Sequence, residues 1–240
     1  PADTVNMSVE VGEINNAKDI WKTTIDINAA LLELRHNGGG PVHINLREAS
    51  YGTFTTRQIP KAHKISRYTS ADELPDIEAS TIAIFIGAHK NFSKQETELI
   101  DSFCEKYNAV VLLDHTSGYK GKYGVMFALP AAQTNVKNVA DVDLLIHIGE
   151  VSGDYYSQSK IVCKDMWRVN PDGIIRDKFR KLSSIFEMSE LHFFKSYVIK
   201  RTANTSLDIF NSCKLLYESV SSRIPELPFG NIWIAHKLHH

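Results

Sequence analysis

Three short stretches carry residue types that can do chemistry or hold a ligand: Gly87-Ala88-His89, Asp114-His115-Thr116 and Gly149-Glu150-Val151. Asp114 beside His115 could serve as an acid–base pair, a carboxylate next to an imidazole that exchanges protons near neutral pH. The same Asp also suits a loop in which it caps local amides and leaves the His exposed. Gly87 and Gly149 let a ligand come close to the backbone, since neither carries a Cβ. His89 and His115 each follow an apolar run, at what should be one edge of a sheet. With Gly87, Asp114, Gly149 and Glu150 they make up one candidate crevice.

Several better-defined chemistries are excluded. Gly87-Ala88-His89-Lys90-Asn91-Phe92 stands where a dinucleotide loop would stand. It lacks the second and third glycines that bring a pyrophosphate onto the backbone. No Gly-x-Ser-x-Gly elbow, Walker loop or His-Glu-x-x-His occurs. His36, His43, His63, His89, His115, His147 and His192 show no metal-ligand spacing, and His147 sits mid-strand, where a core histidine is expected. Gly38-Gly39-Gly40 follows a helix and precedes a strand, the reverse of the order that aims helix amides at a phosphate; it reads as a helix stop. No catalytic and no metal-binding residue is therefore assigned.

The elements that must position the crevice come from hydrophobic pattern. Thr81-Ile82-Ala83-Ile84-Phe85-Ile86 is a continuous, β-branched run closed by Gly87, as a strand buried on both faces requires. Ser93-Lys94-Gln95-Glu96 has the form of a capping box. Leu99, Ile100, Phe103, Cys104 and Tyr107 then recur at helical spacing. Val110-Val111-Leu112-Leu113 is a second buried strand. Strand, capped helix and strand within about 30 residues make a βαβ unit. Asp143–Ile148, closed by Gly149, and Trp167–Val169 supply two more strands. All four are expected as parallel neighbours with helices on both faces, an α/β class with a Rossmann-like doubly wound parallel sheet.

With 240 residues, 43% hydrophobic and 23% charged, the chain is ordinary globular material large enough for a core. A net charge of −1 gives no basic field for nucleic acid. The apolar runs are too short for a membrane span, and the polar start Pro1-Ala2-Asp3-Thr4 is no signal peptide. Cys104, Cys163 and Cys213 are widely spaced and odd in number, which reads as reduced thiols in a cytoplasmic protein. The missing initiator Met and the ending Lys237-Leu238-His239-His240, similar to the start of a vector-encoded histidine tag, read as an excised fragment.

In order along the chain, residues 1–18 are polar and carry no clear period. A helix is expected over Ile20 to Asn37 with Asp19 as its N-cap, then a short strand Pro41 to Leu46. Arg47 to Ala62 is linker-like, and a domain boundary is expected there. Lys64–Tyr68 reads as an edge strand, His115 to Tyr123 as an exposed loop, and Val125 to Val139 as irregular and partly helical. Gly153-Asp154-Tyr155-Tyr156 is a loop, Ser183–Met188 a fifth strand, and Leu191–Ile199 and Ser206–Val220 helices. Pro225, Pro228 and Gly230 break regular structure beyond Val220.

Two of these stretches resemble a known family. Gly39-Gly40-Pro41-Val42-His43-Ile44-Asn45-Leu46-Arg47-Glu48 is similar to the segment that closes the pyrimidine-binding domain of thiamine-diphosphate-dependent enzymes. It departs from their pattern at Ala49-Ser50-Tyr51, where Pro-Leu-Tyr is usual. Asp143 to Asn170, with Glu150-Val151-Ser152-Gly153-Asp154 and Trp167-Arg168-Val169-Asn170-Pro171-Asp172-Gly173, resembles the end of their central domain. The menaquinone-pathway succinyl-enolpyruvyl-hydroxycyclohexene-carboxylate synthases are nearest in flavour, with acetolactate synthases behind. The resemblance implies residues 1–46 as a remnant of the pyrimidine-binding domain, 47–62 as linker, 63–200 as the central Rossmann-like domain, and 201–240 as helices toward a missing pyrophosphate-binding domain.

In that family an upstream Glu activates the cofactor, and a downstream Gly-Asp-Gly motif holds magnesium and diphosphate. The resemblance puts the region of that Glu before Pro1, and no Gly-Asp-Gly occurs, since Gly153-Asp154-Tyr155 and Asp172-Gly173-Ile174 both fail the pattern. The resemblance thus implies a parent acting on 2-oxo acids with thiamine diphosphate and magnesium, and a fragment inactive alone. Its partners would be the missing domains and further copies of itself, with neither nucleic acid nor membrane involved. Two alternatives stay open: a regulatory module holding FAD, a nucleotide or another small molecule in the crevice, and a stand-alone α/β enzyme using Asp114 and His115.

Overall fold

A computed structural model describes residues 4–47, 63–150 and 158–239. Its strands are β1 (Met7–Val11), β2 (Val42–Leu46), β3 (Ser66–Thr69), β4 (Ile82–Ile86), β5 (Ala109–Leu113), β6 (Gly124–Met126), β7 (Ala140–Ile148), β8 (Ile161–Val169) and β9 (Leu182–Glu187). The helices are α1 (Ala17–Glu33), α2 (Lys94–Tyr107), α3 (Ala128–Ala131), α4 (Glu190–Val198), α5 (Asp208–Ser221) and α6 (Asn231–His239). Seven strands form a parallel sheet in the order β3-β9-β8-β7-β4-β5-β6, flanked by helices, while β1 and β2 pair separately. The four strands expected from apolar runs are consecutive in the sheet as β8-β7-β4-β5. The fold is α/β, Rossmann-like and doubly wound.

The chain divides into two compact units, Glu78–Lys164 with Phe194–His240, and Pro1–Ile77 with Asp165–Phe193. In the first, every residue of β4 and β5 is buried, which is why these strands are unbroken apolar runs rather than alternating ones. Helix α2 starts on a complete capping box: the Ser93 hydroxyl accepts from the Glu96 amide at 3.2 Å, and Glu96 Oε2 accepts from the Ser93 amide at 2.7 Å. Its inner face buries Ile100, Phe103, Cys104 and Tyr107. Phe103 stacks on Tyr107 at 4.5 Å and meets Phe194 edge-on at 5.2 Å. Tyr107 satisfies its hydroxyl by donating to the Tyr197 carbonyl at 3.0 Å. Asn108 ends the helix in the left-handed region, φ 48.

His147 is the core histidine that its mid-strand place suggests, 1% exposed and stacked on Phe85 at 5.3 Å. Three expectations in this unit need correction. The loop from His115 to Tyr123 is not exposed along its length: Ser117, Tyr119 and Tyr123 are buried. Tyr119 is drawn inward by its hydroxyl, which donates to Asp101 Oδ1 at 2.5 Å. The stretch expected to be irregular and partly helical does hold the short helix α3, but it opens on β6, too short to show a period, paired to β5 through Val111↔Gly124. A further helix, α6, follows Pro228 and Gly230, since a proline ahead of a helix obstructs none of its hydrogen bonds.

In the other unit β1 pairs in parallel with β2, Met7 opposite Val42 and Val11 opposite Leu46. The polar opening thus hides a strand, whose alternation of half-buried and exposed residues is short. Helix α1 begins three residues earlier than expected. Asn16, not Asp19, is the N-cap, its side chain accepting from the Lys18 and Asp19 amides at 2.8 and 3.1 Å. Asp19 lies in the first turn, where its charge suits the helix dipole. The helix ends at Glu33 rather than Asn37. A 3₁₀ turn over His36–Gly38 follows, with Gly38 and Gly39 at φ 91 and 80, so the triglycine is a helix stop. Asn28 ties α1 to the entry of β3, accepting from the Ile65 amide at 2.8 Å and donating to the His63 carbonyl at 3.0 Å. β3 is the edge strand expected, paired to β9. The Gly153–Tyr156 loop and the linker beyond Arg47 lie outside the described residues.

Candidate functional site

Strand order reverses beside β4. The chain runs from β4 outward through β5 to β6, then returns to place β7 on the other side of β4. Ligands of open parallel sheets bind beyond the carboxyl ends at such a point. Gly87, His89, Asp114, His115, Gly149 and Glu150 all lie there, so the structure brings the six candidate residues to one edge of one unit.

The backbone between them is stitched together. The Gly87 amide donates to the Ile148 carbonyl at 3.0 Å, and Ala88 and Glu150 exchange two hydrogen bonds, 2.8 and 3.0 Å, in an isolated antiparallel bridge. The His89 amide donates to the Thr116 carbonyl at 3.1 Å, which joins the loop after β5 to the same seam. Gly149 takes φ +73, and a Cβ there would stand 2.6 Å from the Ala88 carbonyl oxygen. Glycine at 149 thus serves a close approach of backbone to backbone.

Asp114 is 4% exposed. Its Oδ1 accepts from the Thr116 amide at 2.7 Å and the Thr116 hydroxyl at 2.6 Å, as in an Asx turn. The Asp114 amide donates to the Ser117 hydroxyl at 2.9 Å, and that hydroxyl in turn donates to the Ile86 carbonyl at 2.5 Å. His115 is exposed, next in sequence to the capped carboxylate. The His89 ring stacks on Phe92 at 4.2 Å, with Nδ1 2.7 Å from the Lys90 carbonyl oxygen; that contact requires the proton on Nδ1. The N-terminus of α2, the nearest positive helix end, is already capped by Glu96. Hydrogen bonds from the Ser93 amide and hydroxyl hold that carboxyl below its ordinary pKa, so it stays an anion there.

A second cluster, in the other unit, escaped the sequence. Past the end of α1 a cleft of about 880 Å³ is lined by Leu31, Leu32, Arg35, His36, Arg67 and Glu187, among others. Within it Arg67 Nη2 donates to Glu33 Oε1 at 3.1 Å and to the Gly173 carbonyl at 2.9 Å. Arg67 Nε lies 3.6 Å from Glu187 Oε2. His36 places Nδ1 3.0 Å from Glu33 Oε2 and Nε2 3.1 Å from Glu187 Oε1. The local signal was a Glu three residues before a His at a helix end; Arg67 and Glu187 are remote in sequence and could not be joined to it. Among the described residues no group of three or more His, Cys, Asp or Glu could hold a metal ion. No helix among them is long and apolar enough to cross a membrane.

No family model matches the chain. In an alignment of 249 positions that covers 95% of the chain, it is 27% identical to a 2-succinyl-5-enolpyruvyl-6-hydroxy-3-cyclohexene-1-carboxylate synthase of Bacteroides fragilis. It is 25% identical over 251 aligned positions to the synthase of the same name from Bacteroides thetaiotaomicron. A 66-residue stretch is 42% identical to the Phocaeicola vulgatus synthase, of which it covers 12%. The chain spans 43% of the length of the first of these relatives and 42% of the second.

Proposed function

We propose that this chain is the central domain of a thiamine-diphosphate-dependent synthase, with the tail of the preceding pyrimidine-binding domain at residues 1–46, a linker at 47–62 and outgoing helices at 201–240. The observation that carries the reading is the likeness to the named synthases, which runs over 95% of this chain while covering 43% of theirs. The parallel sheet and the Gly-Pro-Val-His-Ile-Asn segment, which forms β2, support the same order of parts.

The residues present do not fit the cofactor. The crevice at the switch point is crossed by the Ala88–Glu150 bridge, and the backbones approach there so closely that Gly149 has no room for a Cβ. Asp114 and Glu150 would repel one, and the nearest helix N-terminus holds its own carboxylate. No Gly-Asp-Gly occurs in the chain. On this reading the domain does no chemistry by itself; it spaces the flanking domains of the parent, which makes or breaks a bond beside the carbonyl of a 2-oxo acid. Calorimetric titration of the chain with thiamine diphosphate and magnesium should show no heat beyond dilution. A dissociation constant in the low micromolar range, about −8 kcal/mol, overturns the reading.

A further inference from the structure

We infer that His36 is a proton-dependent clasp, closed only as the imidazolium, that fastens the end of α1 to strands β3 and β9. Both ring nitrogens of His36 face carboxylate oxygens, Glu33 Oε2 at 3.0 Å and Glu187 Oε1 at 3.1 Å. An ionised carboxylate only accepts, so each contact needs an N–H, and a neutral imidazole has one. Swapping tautomers moves the defect from one contact to the other without removing it. With His36 charged, two cations and two carboxylates balance: Arg67 and His36 against Glu33 and Glu187. Loss of the His36 proton leaves two carboxylates around one guanidinium and turns one contact into facing lone pairs.

The groups around the ring carry both signs. α1 contributes Glu33, β9 contributes Glu187 and β3 contributes Arg67, whose charge opposes protonation. Arg35, Lys64 and Asp72 line the same cleft. On β1 and β2, Glu10 pairs with Arg47 and His43 with Ser8. The His36 side chain is 17% exposed, so water screens the cluster only in part. Burial lowers the His36 pKa, yet the hydrogen bonds to Glu33 and Glu187 outweigh it and leave the value above the ordinary one. Directly after it the chain passes Asn37, Gly38 and Gly39 at φ 47, 91 and 80, a short left-handed segment between α1 and β2.

With the folded value raised, the clasp's contribution is whole below the unfolded histidine pKa, about 6.5, and is lost as pH rises through the folded value. Nitrogen-resolved NMR of the 240-residue chain tests this. At pH 6 the His36 ring should carry protons on both nitrogens. It should titrate above the ordinary histidine value of about 6.5, and amide protection factors in the last turn of α1 should fall across that titration. Glu187→Gln should lower the His36 midpoint and flatten the protection change. A singly protonated His36 ring at pH 6 overturns the proposal, as does α1 protection constant through the titration. Both readouts are taken on the unmodified chain, so a variant that fails to fold leaves the test intact.

Discussion

At Gly149 the left-handed φ and the Ala88 carbonyl 2.6 Å from where a Cβ would stand leave no latitude. Gly149→Val must either abandon φ +73 or break the Ala88–Glu150 bridge. The cost should be about 1–3 kcal/mol, read as a fall of about 2–10 °C in melting temperature. An unchanged melting temperature would mean that the seam at the carboxyl edge is loose. Tyr119 presents a different case. Its hydroxyl donates to Asp101 inside the fold, and burial together with the hydrogen bond to the Asp101 carboxylate and its charge push its pKa far upward. Tyr119→Phe leaves Asp101 Oδ1 with the Lys122 amide at 3.0 Å in place of two donors. A loss of about 1–3 kcal/mol in denaturant unfolding is expected, and in the wild-type chain this residue should give no absorbance titration below about pH 10.

Helix α2 holds two separable contributions. The capping box acts at its start, where Ser93→Ala removes the acceptor for the Glu96 amide and should cost about 1 kcal/mol. The apolar stripe acts along its length. Phe103 is fully buried between Tyr107 and Phe194, so Phe103→Ala should cost about 3–5 kcal/mol and expose the aromatic cluster. A denaturant series on the two variants and their double should find the effects nearly additive, since cap and stripe share no partner. Strong coupling would mean that the cap sets the helix's packing and not only its start. Both features are legible in sequence because they are local: a four-residue motif and a period of 3.6. The start of α1 is ambiguous for the converse reason. Asn16 and Asp19 both suit an N-cap, and Asp19 Oδ2 instead accepts from the Asn15 amide at 3.0 Å.

Across the molecule, paired carboxyls set how stability depends on acid. Glu96 is held low by the Ser93 amide and hydroxyl, and Asp72 by the Thr69 amide and hydroxyl. Asp143 is held low by Lys164 and the Ser80 and Thr81 amides. A folded value below the unfolded one gives stability that is present above about pH 4 and lost as pH falls through the folded values. Asp177 runs the other way: burial raises it over the opposing hydrogen bonds from Leu182, Lys181 and Arg180, so it favours the folded chain more when protonated. The melting temperature should thus hold between about pH 5 and 6.5 and drop below about pH 4. Asp143→Asn should remove part of that acid dependence; an acid limb identical to wild type would show that the Asp143 cluster contributes nothing.

What the residues alone determined was whatever a short window contains. Six consecutive residues from Thr81 to Ile86 demanded a strand covered on both faces, and the stripe from Leu99 to Tyr107 demanded a helix lying on it. Together they required a parallel α/β sheet, because backbone polar groups so deeply buried are satisfied only by neighbouring strands. Sequence also placed the six crevice residues at strand ends. Only the tertiary structure decided what stands between those ends, because the Ala88–Glu150 bridge joins residues far apart in number with no periodicity to announce it. The same holds for the cluster of Glu33, His36, Arg67 and Glu187, whose members are scattered along the chain. Short strands such as β1 and β6 fall between the two cases. Segments of that length carry too little pattern to stand out, and they become strands because a neighbour offers its edge.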